Sequence, residues 1–482
     1  MNSLNPSILK KLKFVVGEKG WLDDSNDMAP YLSDERNLFH GKTNIILKPQ
    51  NSAEVAKIVK ICAQEKIGIV PQGGNTGYCG GSIPNPNGLE VVISLARLNR
   101  IREINTFNNT MTVEAGCILS DIQTKAKESN KLFPLSLGAE GSCQIGGNLA
   151  TNAGGTQVLH YGNARDLVLG LEVILPDGQL LNMLRALRKN NTGYDLKHLF
   201  LGSEGTLGII TAAVIKLFPL PKQVITSIVA LPNSSAAVSL LTNLQSKIVG
   251  SITSFEFFNR SSLELVIEHI SNARDPFVKP YDTYVLLEIS SSQSKQNIKG
   301  SLENQLSEKL DEGCVLDAVI ADSGEQCKKL WKLRESIPEA QKCAGGCIKH
   351  DVSVPISRVA EFISLTSKLA KKEIKGVRII AFGHIGDGNI HFNLTQPLNI
   401  NNDDFLSHTL PLSTKIHDIA MKLGGSFSAE HGIGILKKQE LKRFKSLVEQ
   451  DLMELVKDAI DPGNIMNPDK VVTVKPKPHL LD

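Results

Sequence analysis

Four side chains in two short stretches have types and spacing that could do chemistry together. Residues 383–391 read GHIGDGNIH, with His384 and His391 on either side of small and polar residues. Residues 428–434 read SAEHGIG, with Glu430 directly before His431. Two imidazoles and one carboxylate, with a position left open, make a ligand set for a catalytic zinc ion. The same set suits Mn2+ or Fe2+, so ligand type does not fix the metal. An imidazole next to such a site is a candidate general base. Glycine is dense in three further stretches: PQGGNTGYCGGSIP (71–84), PLSLGAEGSCQIGGNLATNAGG (134–155) and LFLGSEGTLGIIT (199–211). Gly73, Gly74 and Gly77 let the backbone turn and approach a ligand closely. Successive N–H groups in such turns bind anions. The first stretch lacks the Lys-Ser/Thr of a P-loop and is not G-x-G-x-x-G, so a phosphate without magnesium chemistry fits better than ATP. Three such segments suit a long ligand with a pyrophosphate.

To face one another the two histidines need a chain reversal. Gly386, Asp387, Gly388 and Asn389 would break a helix. Read as a hairpin, those four residues are the loop. Ile385 then stands opposite Ile390, and His384 opposite His391, with Cβ atoms about 4.5–5.5 Å apart on one face. Residues 1–40 read as a helical lead-in. From 41 to 223 apolar runs such as GIVPQGG, EVVISL, MTVEAG and LEVILPDG end in turn residues, with helical stretches such as SAEVAKIVKICAQEK between them, which predicts an α+β domain. The prolines of KLFPLPKQ suggest a boundary. A second α/β region runs over 224–425, alternating helical patterns with strands such as TYVLLEIS and VRIIAFGH. The segment 426–482 is expected to complete the candidate site, to pack on the 41–223 domain and to carry one charged helix over 437–461.

A chain of 482 residues is too long for one core. With 41% hydrophobic and 21% charged residues and a net charge of +3, it has no electrostatic footprint for nucleic acid or an anionic membrane. No apolar run approaches the roughly 20 residues that span a bilayer. The N-terminus lacks a signal-peptide core and an arginine-rich presequence; ILKKLKFVV reads as a surface helix. The closest pair among the eight cysteines, Cys343 and Cys347, has C-x3-C spacing, neither a redox pair nor a zinc ribbon. Reduced, mostly buried thiols in a cytosolic protein are expected. The helical H-E-x-x-H of a zinc hydrolase is absent.

The three glycine-rich segments, in this order, resemble the FAD domain of the vanillyl-alcohol oxidase type of flavoprotein. The resemblance implies a two-subdomain FAD-binding domain plus an α/β substrate (cap) domain with an antiparallel sheet. By position it implies FAD contacts at Pro71, Gly73, Gly74, Asn75, Thr76 and Gly77. Leu137, Gly138, Ser142, Gly146, Gly147, Asn148, Thr151 and Asn152 follow in the second segment, and Gly205 and Ile210 in the third. Some members hold the flavin covalently through a histidine. His160 is the nearest candidate and has no supporting motif, so FAD is expected to be non-covalent.

GHIGDGNIHFN and SAEHGIG resemble the metal and active-site segments of the D-2-hydroxyacid dehydrogenases of this family. That resemblance implies a divalent ion, zinc above all, on His384, His391 and Glu430. It also implies His431 as base and Asn393 as a substrate-carboxylate contact. LWKLRESIPEAQ and CIKHDVSVPISR, with SFEFFN, resemble the D-2-hydroxyglutarate branch and imply Arg334 and Lys349 as holders of the distal carboxylate. Pro338 replaces a threonine that contacts that carboxylate in some members, which weakens the case for that chain length. The implied reaction is oxidation of a D-2-hydroxy acid, D-2-hydroxyglutarate to 2-oxoglutarate, with D-lactate or a broader substrate range as the alternative. An alcohol with a pKa of about 16 does not readily lose its proton to an imidazole titrating at about 6.5, which is why a metal is needed beside the base. Family members pass electrons to electron-transfer flavoprotein, quinones or cytochromes. Oligomeric state is not readable, although a homodimer is compatible with the sequence. A bacterial cytosol, with loose membrane association through the electron carrier, is the expected setting.

Overall fold

Amphipathic periodicity and side-chain caps decide where the helices form. In Ser52–Gln64 the residues Val55, Ile58, Val59 and Cys62 recur at helical spacing and are fully buried, and the Asn51 side chain accepts the Glu54 N–H at 2.9 Å. The computed structural model describes residues 4–472. They form two units. The first takes in the chain up to Gly154, then Asn163–Pro219, and then resumes at Glu430; the second takes Gly155–Gly162 and Leu220–Ala429.

In chain order the strands of the first unit are β1 (Trp21–Leu22), β2 (Ile46–Leu47), β3 (Gly68–Gln72), β4 (Glu90–Ser94), β5 (Ile101–Asn105), β6 (Thr110–Glu114), β7 (Lys131–Leu132), β8 (Val168–Ile174), β9 (Leu180–Asn182), β10 (Ile209–Lys216) and β11 (Phe218–Pro219). One sheet has the order β1-β2-β4-β3, with β2 and β3 both parallel to β4. The other, β5-β6-β10-β8-β9, is antiparallel throughout. The helices Pro6–Val16 and Ser52–Gln64 share a core with the first sheet. The lead-in is therefore not purely helical: Trp21 and Leu22 pair with Leu47 and Ile46, because an apolar pair next to an open strand edge gains a ladder there. The charged C-terminal stretch is two helices, Lys438–Phe444 and Leu447–Ile460, not one. Ser446 and Glu449 form a reciprocal capping box that starts the second helix afresh.

The second unit is built on an eight-stranded sheet of β12 (Gln223–Leu231), β13 (Ser251–Asn259), β14 (Thr283–Ser291), β15 (Asp317–Ile320), β16 (Cys347–Ile348), β17 (Asp351–Ser353), β18 (Arg378–Gly383) and β19 (Asn389–Thr395). Its order is β15-β12-β14-β13-β18-β19-β16, with β17 also on β19, and the pairs are antiparallel. Side chains alternate between two cores, as a sheet covered on both faces requires. Val229, Phe257, Leu287, Ala381 and Phe392 belong to one core, with helices such as Ser234–Lys247 and Val359–Glu373. Ala230, Phe258, Leu286, Ile380 and Phe382 belong to the other, with Arg260–His269, Gly324–Glu335 and Ile337–Cys343. Each large apolar side chain buried this way stabilises the unit by about 1.5–3 kcal/mol. On the second face the strands also carry Glu256, His391 and Asn393, so that face is where a buried polar site can form.

Candidate active site

In the first unit the three glycine-rich segments come together around one cleft enclosing about 950 Å³, part of it open to solvent. The first segment leaves the end of β3 and contributes Pro71, Gly73, Gly74, Asn75, Thr76 and Gly77 to the lining. The second contributes Gly146, Gly147, Asn148 and Thr151, and the third Gly205 and Ile210. A Cβ on Gly74 would lie 2.2 Å from the Ser142 carbonyl oxygen, and one on Gly205, at φ +73°, 2.5 Å from Pro71 Cγ, so glycine is what lets the segments touch. A Cβ on Gly77 or Gly147 would meet no protein atom within 4 Å. Asn75 turns at φ +56° and ties its side chain to Pro30 O, Ser33 O and the Ser82 hydroxyl.

Four expected contacts do not line this cleft. Leu137, Gly138 and Ser142 sit on a partly exposed loop, where the Ser142 hydroxyl donates to the Ala139 carbonyl. Asn152 spends its side-chain oxygen on the Arg165 N–H at 2.9 Å. His160 lies in the second unit on the short helix Val158–Tyr161, edge-on to Tyr161. In their place the cleft gains Gln72, Tyr78, Gln144 and Glu204. The side-chain oxygens of Gln72, Gln144 and Asn148 are buried without a hydrogen-bond partner among the described residues. Such an unmet acceptor costs about 1–3 kcal/mol, and a ligand rich in hydroxyl and ring N–H groups relieves it. A long cleft with glycine-lined walls and unmet acceptors fits FAD.

His431 also lines this cleft, with its ring edge-on to Tyr78 at 4.9 Å between centroids. Glu430 lies against Gly154, where a Cβ would come within 2.6 Å of its Oε1.

In the second unit β18 and β19 form the expected hairpin, but in a different register. Phe382, not His384, pairs with His391, and Asn389 belongs to β19, so the reversal spans His384–Gly388. The expected pairs Ile385–Ile390 and His384–His391 are absent. Gly383 also pairs with Phe257 of β13, and the turn, five residues where four were expected, gains His384 and Ile385 and gives up Asn389. The shift is by two positions, so face is conserved. The imidazoles still meet, with centroids 5.7 Å apart and ring planes at 80°.

Each histidine has a carboxylate near Nδ1. Glu256 Oε1 is within hydrogen-bond reach of His384 Nδ1 at 2.8 Å, and Asp351 Oδ1 stands 3.7 Å from His391 Nδ1, beyond it. The His384–Glu256 pair is the kind of outer bond that orients a metal-ligating histidine, and would leave His384 Nε2 for coordination. Glu256 reaches further. Its Oε2 accepts from Arg334 Nε at 3.0 Å and Nη2 at 2.8 Å, and the buried guanidinium lies over the Phe382 ring. Arg334, Glu256 and His384 thus form one hydrogen-bonded chain with almost no exposure. Asn393 donates to Gln341 Oε1 at 2.8 Å and accepts the His350 N–H at 3.1 Å. Lys349 is half-buried between β16 and β17 and falls opposite Asn393 in the register those strands keep with β19. Pro338 occupies the first turn of Ile337–Cys343, where a missing N–H costs nothing. Glu256 and Asp351 escape a reading of sequence for chemistry. The available signal was an acid in SFEFFN, alone among apolar strand residues.

Residues 43–184 match the FAD binding domain family and residues 220–471 the C-terminal domain of FAD linked oxidases. A D-2-hydroxyglutarate dehydrogenase of Arabidopsis thaliana is 36% identical over 481 residues, covering 100% of this chain and 83% of that protein. One of Xanthomonas citri pv. viticola is 37% identical over 426 residues, 88% of each. The solved structure of p-cresol methylhydroxylase aligns with a TM-score of 0.76 at 16% identity, covering 97% of this chain and 96% of that one, which speaks for the fold. The unmet acceptors around the glycine-walled cleft, the two matched domains and the full-length likeness agree: this chain belongs to the FAD-linked oxidases and is an FAD-dependent oxidoreductase.

Proposed function

We propose that the protein oxidises D-2-hydroxyglutarate to 2-oxoglutarate, using FAD held non-covalently and a divalent ion, zinc first among the candidates and Mn2+ or Fe2+ next. The observation that carries this reading is the Arg334–Glu256–His384 chain. It sets a buried cation, suited to a second carboxylate, one residue away from a histidine already oriented as a ligand. His384 and His391 are the proposed imidazole ligands; Glu430, as third ligand, rests on its sequence context. When bound, FAD supplies a hydride acceptor and the ion supplies Lewis acidity at the 2-hydroxyl.

The protein's own residues do the rest. His431 takes the hydroxyl proton on an imidazole nitrogen. Arg334 and Lys349 bind the distal carboxylate, and Asn393 contacts the carboxylate beside the reacting carbon. Holding the substrate at both ends selects which hydrogen leaves. The commitment of two Arg334 donors to Glu256, with Pro338 lacking a hydroxyl, favours as a second reading D-lactate or a broad range of D-2-hydroxy acids. Electron-transfer flavoprotein, a quinone or a cytochrome is the proposed electron acceptor. The proposed setting is a bacterial cytosol, with attachment to a membrane through that carrier. No helix among the described residues is long and apolar enough to cross a membrane.

The test is anaerobic bleaching of the flavin band by a panel of D-2-hydroxy acids. D-2-hydroxyglutarate should bleach it fastest, and Arg334→Ala should slow that substrate about 100-fold while leaving D-lactate within about threefold, as expected when a charge pair to substrate is lost. Equal loss for both acids would overturn the role of Arg334.

A further inference from the structure

The loop that carries His431 is tied down by a carboxylate to which nothing above gives a task. Glu204 belongs to the third glycine-rich segment, lines the cleft and is 9% exposed. Its backbone sits at φ +53°, a conformation uncommon for a residue with a side chain. That conformation is held from both sides. Glu204 N–H donates to the Ala150 carbonyl at 2.8 Å, and Glu204 O accepts from Asn467 Nδ2 at 2.8 Å. Asn467 donates in turn to the Gly81 carbonyl in the first glycine-rich segment.

From this fixed base the carboxylate grips the loop. Oε1 accepts the Ile433 N–H at 2.7 Å and Oε2 the Gly434 N–H at 2.9 Å. Gly432, next to His431, turns at φ +73°, and a Cβ there would stand 2.7 Å from Glu204 Oε1. The following N–H groups, Ile435 and Leu436, both go to the Cys79 carbonyl, and Cys79 lines the same cleft. Burial pushes the Glu204 carboxyl up, while the two N–H bonds and the charge of Lys437 pull it down.

We propose that Glu204 is the positioning residue for His431: its two oxygens hold the Gly432–Gly434 turn so that the imidazole stays over the cofactor cleft at a fixed height. The inference rests on His431 being the base. Its physical content is that a general base must stay within hydrogen-bond reach of one proton, and that about 1 Å of misplacement costs about 100-fold in rate. Glutamine keeps the shape of Glu204 but offers an N–H where the loop also presents an N–H, so the turn must shift. A plain fold anchor would lower stability without singling out the proton-transfer step.

The test uses FAD-loaded protein and anaerobic stopped-flow reduction by D-2-hydroxyglutarate, comparing wild type, Glu204→Gln, His431→Ala and the double variant. Glu204→Gln should keep full FAD content and an apparent substrate Kd within about threefold of wild type, while its limiting reduction rate falls about 10- to 100-fold. The double variant should be no slower than His431→Ala, because a residue acting through the imidazole has nothing left to position. Should Glu204→Gln not fold, Glu204→Asp, which keeps the charge one methylene short, enters the same cycle. A wild-type reduction rate overturns the proposal. So does an additive double variant, or failure of both Glu204 variants to load FAD while folded. Undiminished reduction in His431→Ala would instead sink the base assignment itself, a result the other arms do not mimic.

Discussion

Glu256 is the residue on which the chemistry proposed for the second unit turns. It is buried, its two oxygens serve two different partners, and those partners are 78 and 128 positions away in the chain. That separation is why it was illegible: His384, His391 and Arg334 could be picked out by type and local spacing, whereas an isolated acid in a strand declares nothing until the fold supplies its neighbours. Its role predicts the outcome of Glu256→Gln. The amide cannot serve both a guanidinium and an imidazole as a carboxylate does, so metal affinity should fall about 10- to 100-fold with FAD content unchanged. Metal analysis after dialysis against graded chelator measures this directly, and unchanged affinity would leave Glu256 a partner of Arg334 alone.

At the level of elements, the hairpin is legible in the residues but its register is not. Glycines at 386 and 388 announce a reversal. Yet Gly383 is taken by β13, a pairing that depends on a strand more than a hundred residues earlier. Because the slip is by two positions, the inference that the rings share a face survived the wrong pairing. The charged C-terminal stretch misleads in the opposite way: its helical pattern runs through Lys445 and Ser446, while the Ser446–Glu449 capping box starts a second helix there. The hairpin loop is seated on its neighbour at Gly388, which lies at φ +86° with the Val354 carbonyl oxygen 2.1 Å from where a Cβ would be. Gly388 O also accepts the Val354 N–H at 3.1 Å. Gly388→Ala should therefore cost about 1–3 kcal/mol from the backbone conformation alone, and more from the clash. Urea unfolding should show a lower midpoint at unchanged slope, with weakened metal binding. A midpoint equal to wild type would mean that the loop is not seated this way.

On the scale of the whole molecule, the three glycine-rich stretches foretold one shared cleft, and the resemblance they carry set the fold class. What could not be read was a long-range choice: that residues 155–162 belong with the second unit. Such choices are made by packing between distant segments, not by local pattern. Tyr78 and Glu204 carry no local signal for the same reason, since what sets them apart is touching His431 and its loop. The proposed chemistry divides labour across the chain: flavin on the glycine-rich segments, a divalent ion on the paired histidines with Glu430, and a base at His431. Its central claim is that the ion activates the alcohol. The direct measurement is anaerobic flavin reduction by D-2-hydroxyglutarate in protein stripped of divalent metal but fully loaded with FAD. The flavin band should persist after stripping, with a rate at least about 100-fold below that of the untreated protein, and should bleach again when Zn2+ or Mn2+ is restored. Undiminished bleaching by the stripped protein would contradict the claim.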